Sequence, residues 1–243
     1  MENYYTQHLI VKVDEVDVFK LMKIEATLKH FQEVAMIHAE MLGNGRNELA
    51  KHNAFWVLSR ISLKINQLPK LEEEIYLKTW PNEQVKFMFP RNYVITNKDG
   101  KTLIEASSIW MIMNSNTRQV EVNPNYVIFN SELDQIKGIK TNKVIFDENK
   151  KFKSIEHKIV YSDLDINQHV NNVSYLRWVF DLIDVDNLSS HQVTEVDINY
   201  LHELKYHSQL QLDYYFNKNE FVVKGVSEKI DCFMTKIKME EEV

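Results

Sequence analysis

The sequence is poor in the residues that most often announce a chemistry. A single cysteine, Cys232, among 243 residues allows neither an intrachain disulfide nor a CxxC metal knuckle. A reducing compartment is the simple reading, and a cytoplasmic protein is expected. The five glycines, at 43, 45, 100, 138 and 225, are too few and too scattered to write a GxGxxG fingerprint or a P-loop. HExxH and GxSxG are absent, and no close His/Asp cluster suggests a metal. No cofactor and no metal are therefore expected. No run approaches the ~20 apolar residues of a membrane span. The opening MENYYTQHLIVKVDEV lacks the basic-then-apolar pattern of a signal peptide and is too acidic for a transit peptide. Basic excess is missing too: the net charge of -6 gives no support for binding nucleic acid or an anionic membrane.

What the chain does have is length and 44% hydrophobic residues, enough to bury a substantial core in one large domain or two small ones. From 26 to 42, ATLKHFQEVAMIHAEML carries Leu28, Phe31, Val34, Ala35 and Ile37 at helical spacing and runs into Gly43 and Gly45 as a stop. FWVLSRISLKI (55–65) and EIYLKTW (74–80) alternate as half-buried strands, and residues 91–114 read as a hairpin around Asp99-Gly100. The plan then recurs. A strand at 155–162 leads into a helix with Val173, Leu176, Val179, Phe180 and Ile183 on one face, followed by strands at 193–201, 209–216, 220–228 and 231–239. Laying Ile61, Leu63, Ile65, Ile75 and Leu77 over Val196, Ile198, Tyr200, Leu210 and Leu212 keeps every spacing. Alternating strand pairs can be slid into agreement by chance, but the shared order of helix then strands supports a true repeat. Periodicity is irregular from 123 to 154, a stretch carrying Lys137, Lys140, Lys143, Lys150, Lys151 and Lys153. The expected division is a first domain at 1–130, a linker at 131–154 and a second domain at 155–243. The linker lysines are expected to be solvated, with docking of an acidic partner as the alternative.

Residues 162–181, SDLDINQHVNNVSYLRWVFD, set Asp163, Asp165, Asn167, His169 and Asn171 on every second position. An extended backbone would aim them to one side. A carboxylate, an amide and an imidazole just before a helix suit acyl chemistry, because helix-start N–H groups can polarise a carbonyl and the carboxylate or imidazole can activate water. Asp, Asn and Ser are also turn and capping residues, and Asn171 or Asn172 could simply cap the helix. Neither a cap nor a turn needs His169.

That string resembles the signature of the acyl-acyl carrier protein thioesterases. The first half is similar to the same family in FQEVAMIHAEMLG, then FWVLSRISLKINQLPKLEEEIYLKTWP, then SSIWMIMNSNTRQ, so the likeness covers nearly the whole chain. It implies an α+β fold of two tandem hotdog domains, each a long helix packed on an antiparallel sheet. It implies catalytic residues in the second domain only: Asp165, Asn167, His169 and, downstream in NYLHELKYHS, Glu203. Read without the family, Glu203 is an exposed strand-end carboxylate. Many plant members carry a cysteine after that glutamate, once considered a nucleophile; here Leu204 stands in its place, and Cys232 reads as a small buried hydrophobe. A thiol mechanism is disfavoured. The segment before the first helix, DVFKLMKIEA, lacks the Asp-x-Asn-x-His pattern. One active site per chain is expected, with the first domain shaping the acyl pocket as the resemblance implies.

The implied reaction is hydrolysis of fatty acyl-acyl carrier protein thioesters to free fatty acid in fatty acid biosynthesis. Glu203 would activate water, His169 would assist proton movement, Asp165 and Asn167 would position substrate and water, and backbone N–H groups at the start of the second helix would receive the oxyanion. The two carboxylates could exchange duties. His38 and His207 are weaker candidates, the former structural within its helix. The alternatives are a hotdog thioesterase of acyl-coenzyme A and a noncatalytic acyl-thioester-binding module; a hotdog dehydratase fits the motif less well. The expected partner is acyl carrier protein with its acyl chain, met through the linker lysines or through Arg60, Arg91, Arg118 or Arg177. Homodimerisation is left open.

Overall fold

Strand forms over the alternating runs at 55–65, 74–80, 193–200 and 209–216, and the repeat read from those alternations is a repeat in space. The computed structural model describes residues 3–122, 124–127 and 138–241. The chain divides into two units, Met1–Thr141 and Asn142–Val243. The first unit runs β1 (Tyr5–Ile10), a 3-10 turn at Val13–Glu15, α1 (Ile24–Met41), α2 (Arg46–Lys51), β2 (Ala54–Ile65), β3 (Glu74–Pro81), β4 (Phe89–Asn97) and β5 (Thr102–Asn114). Its strands lie in the order β1-β3-β4-β5-β2, each antiparallel to its neighbour. The second unit runs β6 (Lys153–Lys158), a 3-10 turn at Tyr161–Asp163, α3 (Asn172–Phe180), α4 (Val185–Ser190), β7 (His191–Tyr200), β8 (Gln209–Asn217), β9 (Glu220–Ser227) and β10 (Ile230–Glu241). Its order, β6-β8-β9-β10-β7, is the same topology.

The overlaid positions hold the same places. Ile65 and Tyr200 are the last residues of β2 and β7, and Ile75 and Leu210 are each second in β3 and β8. All are buried except Tyr200, which is half-buried and donates its hydroxyl to the Asn172 carbonyl at 3.0 Å. Each buried aliphatic of this kind contributes about 1.5–3 kcal/mol against leaving it in water. In the first unit α1 lays Leu28, Phe31 and Val34 on the sheet, with Phe31 stacked on Tyr93 of β4 at 4.5 Å. The expected hairpin is β4-β5, turned by Gly100 at φ 79°, a conformation open to glycine at no steric cost.

The second helix is shorter than the first, nine residues against eighteen. It ends at Phe180, and Asp184 starts a new helix by accepting the Asp186 N–H at 3.0 Å. Ile183 therefore lies beyond the helix, although it is buried. The face that α3 buries is Ser174, Tyr175, Leu176, Trp178 and Val179. Tyr175 packs edge-on to Phe233 of β10 at 4.9 Å. Phe233 in turn lies over Gly225 of β9, where a Cβ would come within 2.0 Å of the ring.

Of the expected linker, residues 131–137 lie outside the described residues. Its later part is not a solvated tether: Val144 and Phe146 are buried. The Val144 N–H donates to Asn199 Oδ1 at 2.8 Å, Asn142 Nδ2 to Asp197 Oδ1 at 3.1 Å, and the Asp147 N–H to the Tyr215 hydroxyl at 3.2 Å. Buried Lys224 pairs with Glu148 and lies 4.7 Å above the Phe146 ring. Two apolar residues among the lysines supply this packing. Lys143, Lys151 and Lys153 remain exposed.

Candidate active site in the second unit

The acidic and imidazole side chains meet through a turn and not through an extended strand. Asp165 Oδ1 accepts the backbone N–H of Asn167 at 2.8 Å and of His169 at 3.1 Å, and its other oxygen accepts Asn167 Nδ2 at 3.2 Å. The Asp165 N–H donates back to the His169 carbonyl at 2.7 Å, Leu164 bridges Val170, and Gln168 takes φ 65°. This is an Asp doing what its short side chain does well, closing a turn on the amides that follow it. Period-2 spacing put the right residues in one place, but side-chain hydrogen bonding overrode the extended backbone.

Glu203 lies in the irregular segment that follows the end of β7, ahead of the turn at Tyr206 and His207. The two segments are tied together: the Val170 N–H donates to the Leu204 carbonyl at 2.8 Å, and His169 bridges Lys205. That tie places His169 Nδ1 3.8 Å from Glu203 Oε1, with both side chains partly open to solvent. The separation is wider than a hydrogen bond and close enough for one to form on substrate binding, as catalytic pairs often do.

Asp163, which sequence reasoning did not place in the site, anchors the turn from behind. Its side chain is 1% exposed. One oxygen accepts Trp178 Nε1 at 3.0 Å and pairs with Arg177, and the other accepts the Val160 N–H at 2.7 Å. Its carbonyl accepts the Asn171 N–H at 2.8 Å and the Ser174 hydroxyl at 3.2 Å. The signal was present in the alternation, but nothing in SDLDINQH tells a buried carboxylate from an open one. Tyr175 was also missed. Burial raises its phenol pKa first, with Glu203 and Asp165 adding to the rise.

Asn171 caps α3: its Oδ1 accepts the Val173 N–H at 3.1 Å and its carbonyl the Ser174 N–H at 2.9 Å. Both amides are therefore spent. The Asn172 N–H precedes both in the first turn of the helix. Cys232 is 3% exposed, and burial raises its thiol pKa. His38 is fully buried in α1, and His207 sits in an exposed turn at φ 69°. Of the arginines proposed to meet a carrier, Arg91 is buried and Arg177 is engaged by Asp163. The corresponding turn of the first unit carries Asp17, Phe19 and Leu21 in place of Asp165, Asn167 and His169.

Two units of identical strand order, each with a helix packed on an antiparallel sheet, and one equipped turn define a double hotdog protein with a single candidate site. The N-terminal domain model of acyl-ACP thioesterases matches residues 2–129 and the C-terminal domain model matches residues 146–240. The chain belongs to the acyl-ACP thioesterase family. It is 27% identical over 224 residues to a chloroplastic palmitoyl-acyl carrier protein thioesterase of Gossypium hirsutum, covering 85% of this chain and 54% of that one. The chain thus spans about half the length of the curated relatives it matches. Two solved structures share its fold. One is an acyl-ACP thioesterase from Bacteroides thetaiotaomicron, with TM-score 0.80, 23% identity and 98% of each chain covered. The other is a 12:0-ACP thioesterase from Umbellularia californica, with TM-score 0.85, 20% identity and 100% and 99% covered.

Proposed function

We propose that this protein hydrolyses fatty acyl-acyl carrier protein thioesters and releases free fatty acid, with the chemistry in the second unit. The observation that carries the reading is the approach of His169 to Glu203 across two tied segments, in a chain of this family. Glu203 takes a proton from water as the water oxygen attacks the thioester carbon. The oxyanion is received by the Asn172 N–H and the Asn167 side-chain amide, donors already fixed by the turn and the cap. The C–S bond then breaks and the carrier thiolate takes up the proton, relayed by His169. Asp165 acts through the turn it closes, holding Asn167 and His169 in place. The acidic carrier meets the exposed basic side chains, among them Arg118, Lys143, Lys151 and Lys153, and not Arg91.

The test is release of thiol and fatty acid from a panel of acyl carrier proteins and from matched acyl-coenzyme A, by wild type and Glu203→Gln. Faster release from carrier protein, reduced about 100-fold or more in the variant with its fold intact, is the expected result. Equal or faster release from coenzyme A would move the substrate to the acyl-coenzyme A class. Saturable acyl binding without release by either protein would make the chain an acyl-thioester-binding module.

A further inference from the structure

The peptide bond that joins Glu203 to Leu204 is anchored from the second helix. Tyr175, at the end of the first turn of α3, is 3% exposed. Its ring meets Tyr200 at 5.5 Å and Phe233 at 4.9 Å, both edge-on, and Trp178 at 5.2 Å. With the ring so fixed, the phenol oxygen accepts a hydrogen bond from the Leu204 N–H. The Leu204 carbonyl accepts the Val170 N–H at 2.8 Å, one residue after His169. Both backbone groups of Leu204 are therefore held, and its side chain is buried. The N–H that Tyr175 receives belongs to the same planar unit as the Glu203 carbonyl, so holding it fixes the backbone from which the Glu203 side chain projects. Burial raises the phenol pKa, the Leu204 N–H lowers it, and Cys232, Glu203 and Asp165 add to the rise. The un-ionised phenol accepts the amide without placing a second negative charge beside Glu203.

The first unit shows the same turn without this anchor. Asp17 and Asp165 close equivalent turns, and α1 and α3 begin seven residues later at Ile24 and Asn172. Thr27 therefore stands where Tyr175 stands. The Met22 N–H donates to the Pro69 carbonyl at 2.7 Å as Val170 donates to Leu204, so Pro69 takes the place of Leu204 and Leu68 that of Glu203. Proline has no N–H to offer, and the Thr27 hydroxyl bonds the Lys23 carbonyl of its own helix at 3.2 Å. Anchor and glutamate are absent together in one unit and present together in the other. The first unit folds its turn without the anchor, so the turn does not require one. We propose that Tyr175 is a positioning residue for thioester hydrolysis, holding Glu203 in its water-activating orientation through the Leu204 amide. The inference rests on the reading of Glu203 as the water activator.

Tyr175→Phe keeps the ring and removes the oxygen, and two measurements on the full chain separate the anchor from its consequence. Amide hydrogen exchange at Leu204 should be at least about fivefold faster in the variant than in wild type. Release of thiol from acyl-acyl carrier protein should lose about tenfold or more in kcat while KM stays within about twofold. In a Glu203→Gln background the same substitution should change the residual kcat by less than about twofold, because no carboxylate is left to position. A merely structural loss would multiply with that of Glu203→Gln. Leu204→Pro, which copies Pro69 and removes the N–H while leaving Tyr175 in place, should repeat the loss of kcat, and it decides the matter if Tyr175→Phe fails to fold. Unchanged exchange at Leu204, kcat within about twofold of wild type in either folded variant, or an undiminished loss in the Glu203→Gln background would overturn the proposal. Absence of thiol release from wild type would sink the functional reading instead; faster exchange at Leu204 in Tyr175→Phe would then still establish the anchor, and unchanged exchange would remove it.

Discussion

Asp17 and Asp165 hold the same position in the two units. Each carboxylate accepts the backbone N–H of the second and the fourth residue after it, at 2.8 and 3.0 Å for Asp17 and at 2.8 and 3.1 Å for Asp165. The residue before the last of these, Lys20 or Gln168, is left-handed in both turns, at φ 62° and 65°. The following amides, of Met22 and Val170, donate to the carbonyls of Pro69 and Leu204. A turn of one design thus recurs, yet only the second carries an amide, an imidazole and, in the facing segment, a glutamate.

Because Asp17 closes its turn where Phe19 and Leu21 can do no acid-base work, Asp165 is expected to act through the backbone. Asp165→Asn keeps an oxygen acceptor and should retain clearly more turnover than Asp165→Ala, which should fall by about tenfold or more as Asn167 and His169 lose their placement. Asp17→Ala should cost about 1–2 kcal/mol of stability, similar to Asp165→Ala, and leave turnover near wild type. Denaturation curves and kcat for the four proteins check this. Equal loss of turnover in Asp165→Asn and Asp165→Ala, with equal stability, would require the carboxylate itself to take part.

Asp163 presents the opposite case, a carboxylate sealed beneath the turn. Removing it strands Trp178 Nε1, the Val160 N–H and part of Arg177. Asp163→Ala is expected to destabilise the protein by about 2–3 kcal/mol, because it leaves buried donors to a charged acceptor without a partner. Asp165→Ala should cost less, and urea denaturation of the two side by side makes the comparison. A loss below about 1 kcal/mol for Asp163→Ala would mean that the pair behaves as an exposed one.

How far the sequence announced these features depends on what each requires. Strands β2, β3, β7 and β8 were legible because their apolar residues alternate cleanly, and the repeat was legible because Ile75 and Leu210 sit at the same step of equivalent strands. The short helix α3 was misjudged because Ile183 continues the apolar spacing, and only the cap formed by Asp184 breaks it. Strand β1 went unseen, since His8 and Gln7 dilute its pattern. Asp165, Asn167, His169 and Glu203 were found through resemblance; their types and spacing alone left turn and cap readings open. Arg91 read as a surface cation because charge normally implies exposure, and only three-dimensional placement shows that β4 turns it toward α1.

His157 ties pH to stability. It packs at 4.5 Å against Trp178, and burial lowers its pKa below the ordinary 6.5, a pull that nearby Asp163 and Asp181 oppose and Arg177 adds to. The folded state favours the neutral ring, so the unfolded chain binds the extra proton first. The stabilising contribution is complete above the unfolded value near 6.5 and is lost as pH falls toward the folded one. Thermal midpoints between about pH 7.5 and pH 5.5, above the range where most carboxylates titrate, should fall more steeply for wild type than for His157→Gln. Parallel profiles would show that His157 protonates equally in both states.

The buried thiol supplies the last discriminating experiment. Cys232 lies in β10 with its Sγ donating to the Ile230 carbonyl at 3.4 Å, and burial holds its pKa above the usual thiol range. The nucleophilic form is therefore scarce at neutral pH, and access to it is closed. With Leu204 after Glu203, no second thiol can substitute. Cys232→Ala is expected to cost about 1 kcal/mol through a small cavity while leaving kcat within about twofold of wild type, because no covalent step passes through sulfur. Iodoacetamide should likewise leave native protein active and label the cysteine only after unfolding. Stoichiometric inactivation of the folded protein, together with loss of turnover in a fully stable Cys232→Ala, would instead demand an acyl-enzyme route and displace Glu203 from the role of water activator.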